Sequence, residues 1–213
     1  MAKRYGRHGK VPKGRKAARK LVAIVVFVAL CVGCVTAYRH LVHPKNTIDE
    51  YSVEGLDITQ DYLTVSKYNR SGKSLPYVKG VVVHYTANPG STAKNNRDYF
   101  ESLSTTHKTR ASSHFIIGLE GEVLQLMPLK EMSYASNNRN KDTISIECCH
   151  EDSTGKFNDA TMASLTKLVK ALMHTYRLES DDVIRHYDVT GKLCPKYFVE
   201  HEDAWEAFRS SLG

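Results

Sequence analysis

The stretch Val78-Lys-Gly-Val-Val-Val-His-Tyr85 combines an apolar run with a histidine at its end. Strand-forming residues cluster here between Lys79-Gly80 and the turn Asn88-Pro-Gly90, which predicts a strand buried on both faces. His84 then lies where a strand meets a loop, a place at which a rigid scaffold can present a ligand. A buried imidazole with a satisfied hydrogen bond explains the same position, so His84 alone does not decide the function.

A second stretch, Arg185-His-Tyr-Asp-Val-Thr-Gly-Lys-Leu-Cys-Pro195, places His186 and Cys194 eight residues apart. Gly191 lies between them, so the segment can curl back and point both side chains at one ion. Imidazole nitrogen and thiolate sulfur are donors that zinc favours, and three protein ligands leave a coordination position for water. His84, His186 and Cys194 therefore predict a metallohydrolase, although Cys194 before a proline is also typical of a buried apolar thiol.

The remaining patterns predict an α/β domain with a mixed central β-sheet flanked by helices. Leu119-Glu-Gly121 separates two short strands and predicts a hairpin. We expect strands at Val78–Tyr85, His114–Gly118, Glu122–Met127, Asp142–Cys149 and Val183–His186, and helices from Ser91 or Thr92 to about Leu103, from Asp159 or Thr161 to about Tyr176, and over His201–Leu212.

Glu147 is the only carboxylate in Thr143-Ile-Ser-Ile-Glu-Cys-Cys149. If its face of the strand overlooks the metal, partial desolvation raises the pKa of its carboxyl and suits it to proton transfer; a solvated edge residue is the alternative. Lys192 lies near enough to Cys194 to stabilise an oxygen that becomes negative, or it is an exposed loop lysine. Asp188 either orients a ligand histidine or caps the local turn.

The charge distribution argues against a nucleic-acid partner. The chain has 30 basic and 23 acidic residues, but nine of the basic ones lie in residues 1–20, so the rest is slightly acidic. A fold that tracks phosphates needs a basic surface. The hydrophobic fraction of 41% is that of a globular protein, and nothing in the sequence requires more than a monomer.

An uncharged run of seventeen residues, Leu21 to Ala37, follows the basic tail. With Tyr38 it predicts a membrane anchor at 21–38, the tail at 1–20 cytoplasmic and the rest of the chain extracytoplasmic. A signal peptide cleaved after Val35-Thr-Ala37 is the alternative, whereas lipidation of Cys34 fits poorly.

Between the anchor and the folded domain at 75–213, residues 39–74 are polar and aperiodic. They predict a linker with a short helical piece around Asp57–Leu63. Cys148 and Cys149 are neighbours and do not predict a disulfide framework. A disulfide from either of them to Cys194 stays open, and it would consume the proposed metal-binding thiolate.

The ordered motifs resemble the zinc-dependent N-acetylmuramoyl-L-alanine amidases, a family that also contains peptidoglycan recognition proteins. The resemblance covers about Val78 to Trp205. It implies that zinc is bound by His84, His186 and Cys194, that Glu147 is the general acid/base, and that Lys192 stabilises the oxyanion. The four motifs are Val81-Val-Val-His-Tyr-Thr86, Ser112-Ser-His-Phe-Ile-Ile117 before the Gly121 turn, Asp142-Thr-Ile-Ser-Ile-Glu147 and the stretch from His186 to Pro195.

The substrate that the resemblance implies is peptidoglycan, cut between N-acetylmuramic acid and the first L-alanine of the stem peptide. Some members have a tyrosine just before the histidine matching His114, where this chain has Ser113. If that tyrosine polarises the carbonyl of the scissile amide in those members, this chain relies on zinc and Lys192 instead, with His114 as a further candidate. A non-catalytic module that binds the cell wall is the rival function, although such relatives typically lack a metal ligand.

Overall fold

The structure is a computed structural model and describes residues 22, 24–32, 34 and 44–213. The chain divides into two units, residues 1–42 and 43–213, and residues 22, 24–32 and 34 of the first are helical. None of the helices among the described residues is both long and apolar enough for a membrane crossing. The predicted tail at 1–20 and the alternative cleavage site at 35–37 lie outside the described residues, as does part of the predicted anchor at 21–38.

A mixed six-stranded sheet forms the centre of the unit at residues 43–213. Its strands are β1 (Ile58–Gln60), β2 (Val81–Tyr85), β3 (Phe115–Ile117), β4 (Val123–Gln125), β5 (Ile144–Cys148) and β6 (Val183–Arg185). Their order is β1-β4-β3-β5-β2-β6, and only β3 and β4 pair antiparallel. The mixed sheet and the hairpin that the sequence predicts are both confirmed, with shorter strands. Gly121 turns the hairpin at φ 81°, a left-handed conformation that favours glycine.

Helices cover both faces of this sheet. They are α1 (Ala93–Thr106), α2 (Asp159–Tyr176), α3 (His186–Thr190), α4 (Lys196–Glu200) and α5 (Glu202–Ser210). Leu168 of α2 and Trp205 of α5 pack with Val81 and Val83 on one face, whereas Phe100 of α1 packs with Ile116 on the other. Because β2 is covered on both sides, it can consist of consecutive apolar residues instead of alternating ones.

The caps of the two long helices explain where they begin. Thr92 Oγ1 accepts a hydrogen bond of 3.1 Å from the amide of Asn95, and Asn158 Oδ1 accepts one of 2.9 Å from the amide of Thr161. Helix α1 therefore starts after Thr92, as predicted, but it continues to Thr106, one turn beyond the predicted end. Tyr99 of this helix is 52% exposed.

The prediction of a linker at 39–74 is wrong from residue 44 onward, and so is the domain boundary at 75. The segment around Asp57–Leu63 is not helical but contains β1, which adds in parallel to the edge strand β4. Tyr51, Leu63 and Leu75 are all buried in the fold. They lie too far apart in sequence to show the short period of a helix or a strand, because each fills a separate position against partners that are distant in sequence.

Candidate metal centre

The carboxyl ends of β2, β5 and β6 meet at one edge, because these three neighbouring strands are parallel. His84 lies near the end of β2, His186 directly follows β6, and Cys194 follows a few residues later. One nitrogen from each of the two imidazoles and the sulfur of Cys194 lie within 4.8 Å of one another. His84 Nδ1 and Cys194 Sγ are 3.8 Å apart. The three side chains are therefore close enough to share one cation.

The segment between His186 and Cys194 folds back on itself. Gly191 adopts φ 75° after α3, and its amide donates a 2.7 Å hydrogen bond to the carbonyl of Tyr187. The amide of Tyr187 in turn donates a 2.9 Å bond to the carbonyl of Cys194. These contacts bring the thiol beside the first turn of α3, as the spacing of the sequence predicts.

Asp188 caps this turn. Its carboxylate accepts a hydrogen bond of 2.8 Å from the amide of Arg185 and forms an ion pair of 2.9 Å with the guanidinium of the same residue. No hydrogen bond joins it to His186 among the contacts described. The interpretation of Asp188 as a local cap is therefore correct, and the role of orienting a histidine falls to other residues.

The ionisation of the three donors suits a soft divalent cation. Burial, with smaller contributions from His186 and Lys192, holds the pKa of His84 well below its usual range. Burial and then Lys192 lower the pKa of His186. Both rings are neutral near pH 7 and can act as ligands. Burial, reinforced by Glu147, raises the pKa of the Cys194 thiol to about 12, and binding of a cation is the change that would release this proton.

Cys148, Cys149 and Cys194 are all free thiols. The alternative in which Cys194 forms a disulfide with one of its two buried neighbours is therefore not realised, and its sulfur stays available to a metal.

Glu147 projects from β5 on the same face as His84, its register partner on β2. Burial raises the pKa of its carboxyl to about 8, against an opposing effect of the positive charge of Lys192. Its Oε2 atom is buried and has no hydrogen-bond partner among the described residues. A carboxyl with this environment can carry a proton at neutral pH and exchange it with a bound molecule.

The cluster opens into a cleft of about 390 Å³. Glu147 and Lys192 line it together with the three metal-donor residues. Lys192 is exposed on its loop, so its ammonium can reach a molecule that enters the cleft. Other lining residues are Phe100, Arg110, Tyr134 and Asn137.

Residues 74–197 match the family model described as N-acetylmuramoyl-L-alanine amidase. This chain belongs to that amidase family. It is 33% identical over 168 residues to N-acetylmuramoyl-L-alanine amidase CwlL of Bacillus licheniformis, a match that covers 73% of this chain and 46% of the relative. The chain therefore spans about half the length of that curated relative.

Solved structures of similar fold include the catalytic domain of XlyA, with a TM-score of 0.62 at 26% identity, covering 74% of this chain and all of the other. A mutant endolysin from Bacillus subtilis matches with a TM-score of 0.61 at 28% identity, covering 74% of this chain and 99% of that one. The unit at 43–213 thus shares its fold with the catalytic domain of XlyA over the whole length of that domain.

The candidate role of His114 in this amidase-family cleft is wrong. The side chain is fully buried, with Nδ1 accepting a 3.0 Å hydrogen bond from the amide of Ser145 and Nε2 lying 2.9 Å from the carbonyl of Glu131. Ser113 is also buried, and its hydroxyl donates to the carbonyl of Phe115. Neither residue lines the cleft.

Two residues beside the metal-donor cluster escaped the sequence analysis. Ser136 contacts His84, and Asn137 contacts His186. They lie in a loop and a 3₁₀ helix, Asn137–Arg139, without hydrophobic periodicity. The one signal in the sequence is the pair Asn137-Asn138, since asparagine favours turns and tolerates positive φ.

Proposed function

We propose that this chain is a zinc-dependent peptidoglycan hydrolase that cuts the amide between N-acetylmuramic acid and the first L-alanine of the stem peptide. The observation that carries the proposal is the convergence of His84, His186, Cys194 and Glu147 in one cleft within the part of the chain that matches the amidase family. Relatives that carry the amidase name over 73% of this chain support the same bond specificity.

The donor set fits zinc. Two neutral imidazoles and one sulfur are suited to this ion, and a set of three leaves room for a reacting molecule. His84, His186 and Cys194 would hold the ion. When bound there, zinc supplies a Lewis acid that activates water and polarises a carbonyl.

Glu147 is the proposed general acid/base. Its Oε2 has no hydrogen-bond partner among the described residues, and Glu147 lines the same cleft as the three donors, so it can take a proton from the attacking water. The raised pKa lets it keep this proton and deliver it to the nitrogen of the leaving alanine, since an amine leaves readily only when protonated. Lys192 is proposed to stabilise the carbonyl oxygen of the scissile amide as it becomes negative, because Lys192 lines the same cleft.

A module that binds the cell wall without cutting it would need the cleft but not the chemistry. All three donors and the desolvated carboxyl are present together in this chain. Burying the Glu147 carboxyl without a hydrogen-bond partner costs stability. A role in proton transfer explains why the protein has such a group, whereas binding of the cell wall alone does not require it.

The experiment that separates the two functions uses purified peptidoglycan and a label for new amino groups. We expect release of L-alanine amino termini that stops when a chelator is added and returns when zinc is restored. Binding to the wall without any new amino terminus, in protein shown to contain zinc, would favour the recognition module instead.

We also propose that residues 21–38 anchor the chain in the cell membrane with the amidase unit outside, where it works as a monomer. The support is the uncharged run after a basic tail in the sequence. A monomer suffices because every residue of the proposed site comes from one chain. Alkaline extraction of membranes, with the mass of the mature chain, distinguishes an anchor from a cleaved signal peptide.

A further inference from the structure

Two consecutive residues each contact one of the candidate ligand histidines. Ser136 Oγ lies 3.1 Å from His84 Nε2, and Asn137 Oδ1 lies 2.9 Å from His186 Nε2. Both distances are those of hydrogen bonds. One short segment therefore holds the outer nitrogens of both rings, although β2 and β6, which lead to them, are separated by about half of the chain.

In His84, the opposite ring nitrogen is the one that faces the donor cluster. Nδ1 of His84 is the atom that lies 3.8 Å from Cys194 Sγ. An amide oxygen only accepts hydrogen bonds, so Nε2 of His186 carries its proton and Nδ1 keeps a free lone pair. The Ser136 hydroxyl can accept from Nε2–H of His84 in the same way. Both rings are thus arranged to offer Nδ1 to a metal.

We propose that Ser136 and Asn137 are positioning residues that fix His84 and His186 in the Nε2–H tautomer, with both Nδ1 atoms aimed at one metal ion. This inference rests on the proposed zinc site. Ligand histidines generally need such a partner on the second ring nitrogen, because it fixes the orientation of the ring and raises its basicity as a ligand.

The backbone of the loop is built to keep these two side chains in place. Asn140 Oδ1 accepts hydrogen bonds from the amides of Ala135 and Ser136, at 3.0 and 2.6 Å. Asn137 adopts φ 52°, a left-handed conformation that is uncommon for a residue other than glycine. The side chain of Ser136 is buried, which leaves its hydroxyl little freedom to turn elsewhere. The strained backbone conformation of Asn137 therefore serves to direct its carboxamide at His186.

The test is the affinity of the full chain for zinc, measured by competition with a chromophoric chelator. Asn137→Gly keeps a backbone that tolerates positive φ and removes the carboxamide, whereas Ser136→Ala removes the hydroxyl. We expect each to bind zinc about 10–100-fold more weakly than wild type. Asn137→Asp should keep an affinity for zinc close to that of wild type, because a carboxylate accepts the same hydrogen bond. Asn138→Gly is the matched control, since it introduces the same glycine one position later and should bind like wild type.

A second readout is independent of catalysis and of zinc. In zinc-free protein, long-range ¹⁵N spectra should show His186 as the Nε2–H tautomer in wild type and a mixture of tautomers in Asn137→Gly. Wild-type affinity in both loop variants, with unchanged tautomers, would overturn the positioning role while leaving the zinc site intact. A wild-type chain that binds no zinc would reject the zinc site itself, and this inference with it.

Discussion

His84 and Glu147 are register partners on the neighbouring parallel strands β2 and β5. Side chains alternate along a strand, so residues in register on neighbouring strands project from the same face. The sheet itself therefore fixes the candidate proton carrier beside a candidate metal ligand. Loops supply the other parts of the site, but this relationship depends only on the pairing of two buried strands.

Burial of Glu147 predicts a stability that depends on pH. The pKa of this carboxyl rises from 4.5 to about 8 on folding, so its contribution to stability is complete below about pH 4.5 and is lost as the pH rises to 8. In chelator-treated protein, Glu147→Gln should match wild type near pH 4.5 and become the more stable of the two by pH 8. Each unit of pKa shift corresponds to about 1.4 kcal/mol.

Urea unfolding between pH 4.5 and 9 measures this difference. Glu120→Gln, which makes the same substitution at an exposed position, serves as the control. A constant offset for Glu147→Gln would mean that its carboxyl is solvated.

Removal of the Cys194 thiol should remove the metal. Cys194→Ala deletes one of the three donors and the only one that can become an anion, so zinc content after dialysis should fall to a small fraction of the wild-type value. Cys149→Ala removes another buried thiol, which packs in a hydrophobic cluster and is not one of the three donors, so this variant should keep its zinc. Equal zinc content in both variants, measured by plasma mass spectrometry, would reject Cys194 as a ligand.

Lys192 should act on turnover more than on binding. Lys192→Gln removes the ammonium from the cleft and should lower kcat by about 10²-fold or more, with little change in KM or zinc content. Lys170→Gln, an exposed lysine on α2, removes the same charge elsewhere and should keep wild-type kcat. If Lys192 only attracted the substrate, KM would change and kcat would not.

The sequence predicts the part of the site that is carried by strands and by the motif around Cys194. The alternation around Glu147 indicates its face of β5, and the spacing from His186 to Cys194, with Gly191 between them, indicates the folded-back segment. The first prediction succeeds because alternation along a strand is periodic, and the second succeeds because the two residues are close together in the sequence. Ser136 and Asn137 could not be found in this way, since their positions depend on an irregular loop that meets both histidines only after folding.

The folded structure of residues 44–74 could not be predicted from the sequence. Its buried apolar residues, such as Tyr51 and Leu63, stand among polar neighbours in sequence and pack against partners far away in the chain. Tyr51, for example, donates its amide to Gln125 Oε1 at 2.9 Å, across 74 residues. No local pattern records such a contact.

Leu63 tests whether this segment belongs to the fold. It is 1% exposed, so Leu63→Ala should lower the free energy of unfolding by about 2–5 kcal/mol. Val65, two residues later, is 63% exposed, and Val65→Ala should change the stability by less than about 0.5 kcal/mol. Chemical denaturation of both variants decides the matter, because a free linker would make the two substitutions equally neutral.

The bond that this protein cuts can be identified by mass spectrometry of peptidoglycan digested by the zinc-loaded protein. Hydrolysis at the proposed bond yields glycan strands with newly freed carboxyl groups on N-acetylmuramic acid, together with free stem peptides that begin with L-alanine. Glu147→Gln, with its zinc retained, should yield these products at least about 10²-fold more slowly. New reducing sugar ends, or cuts between residues within the stem peptide, would contradict the assignment of the cleaved bond.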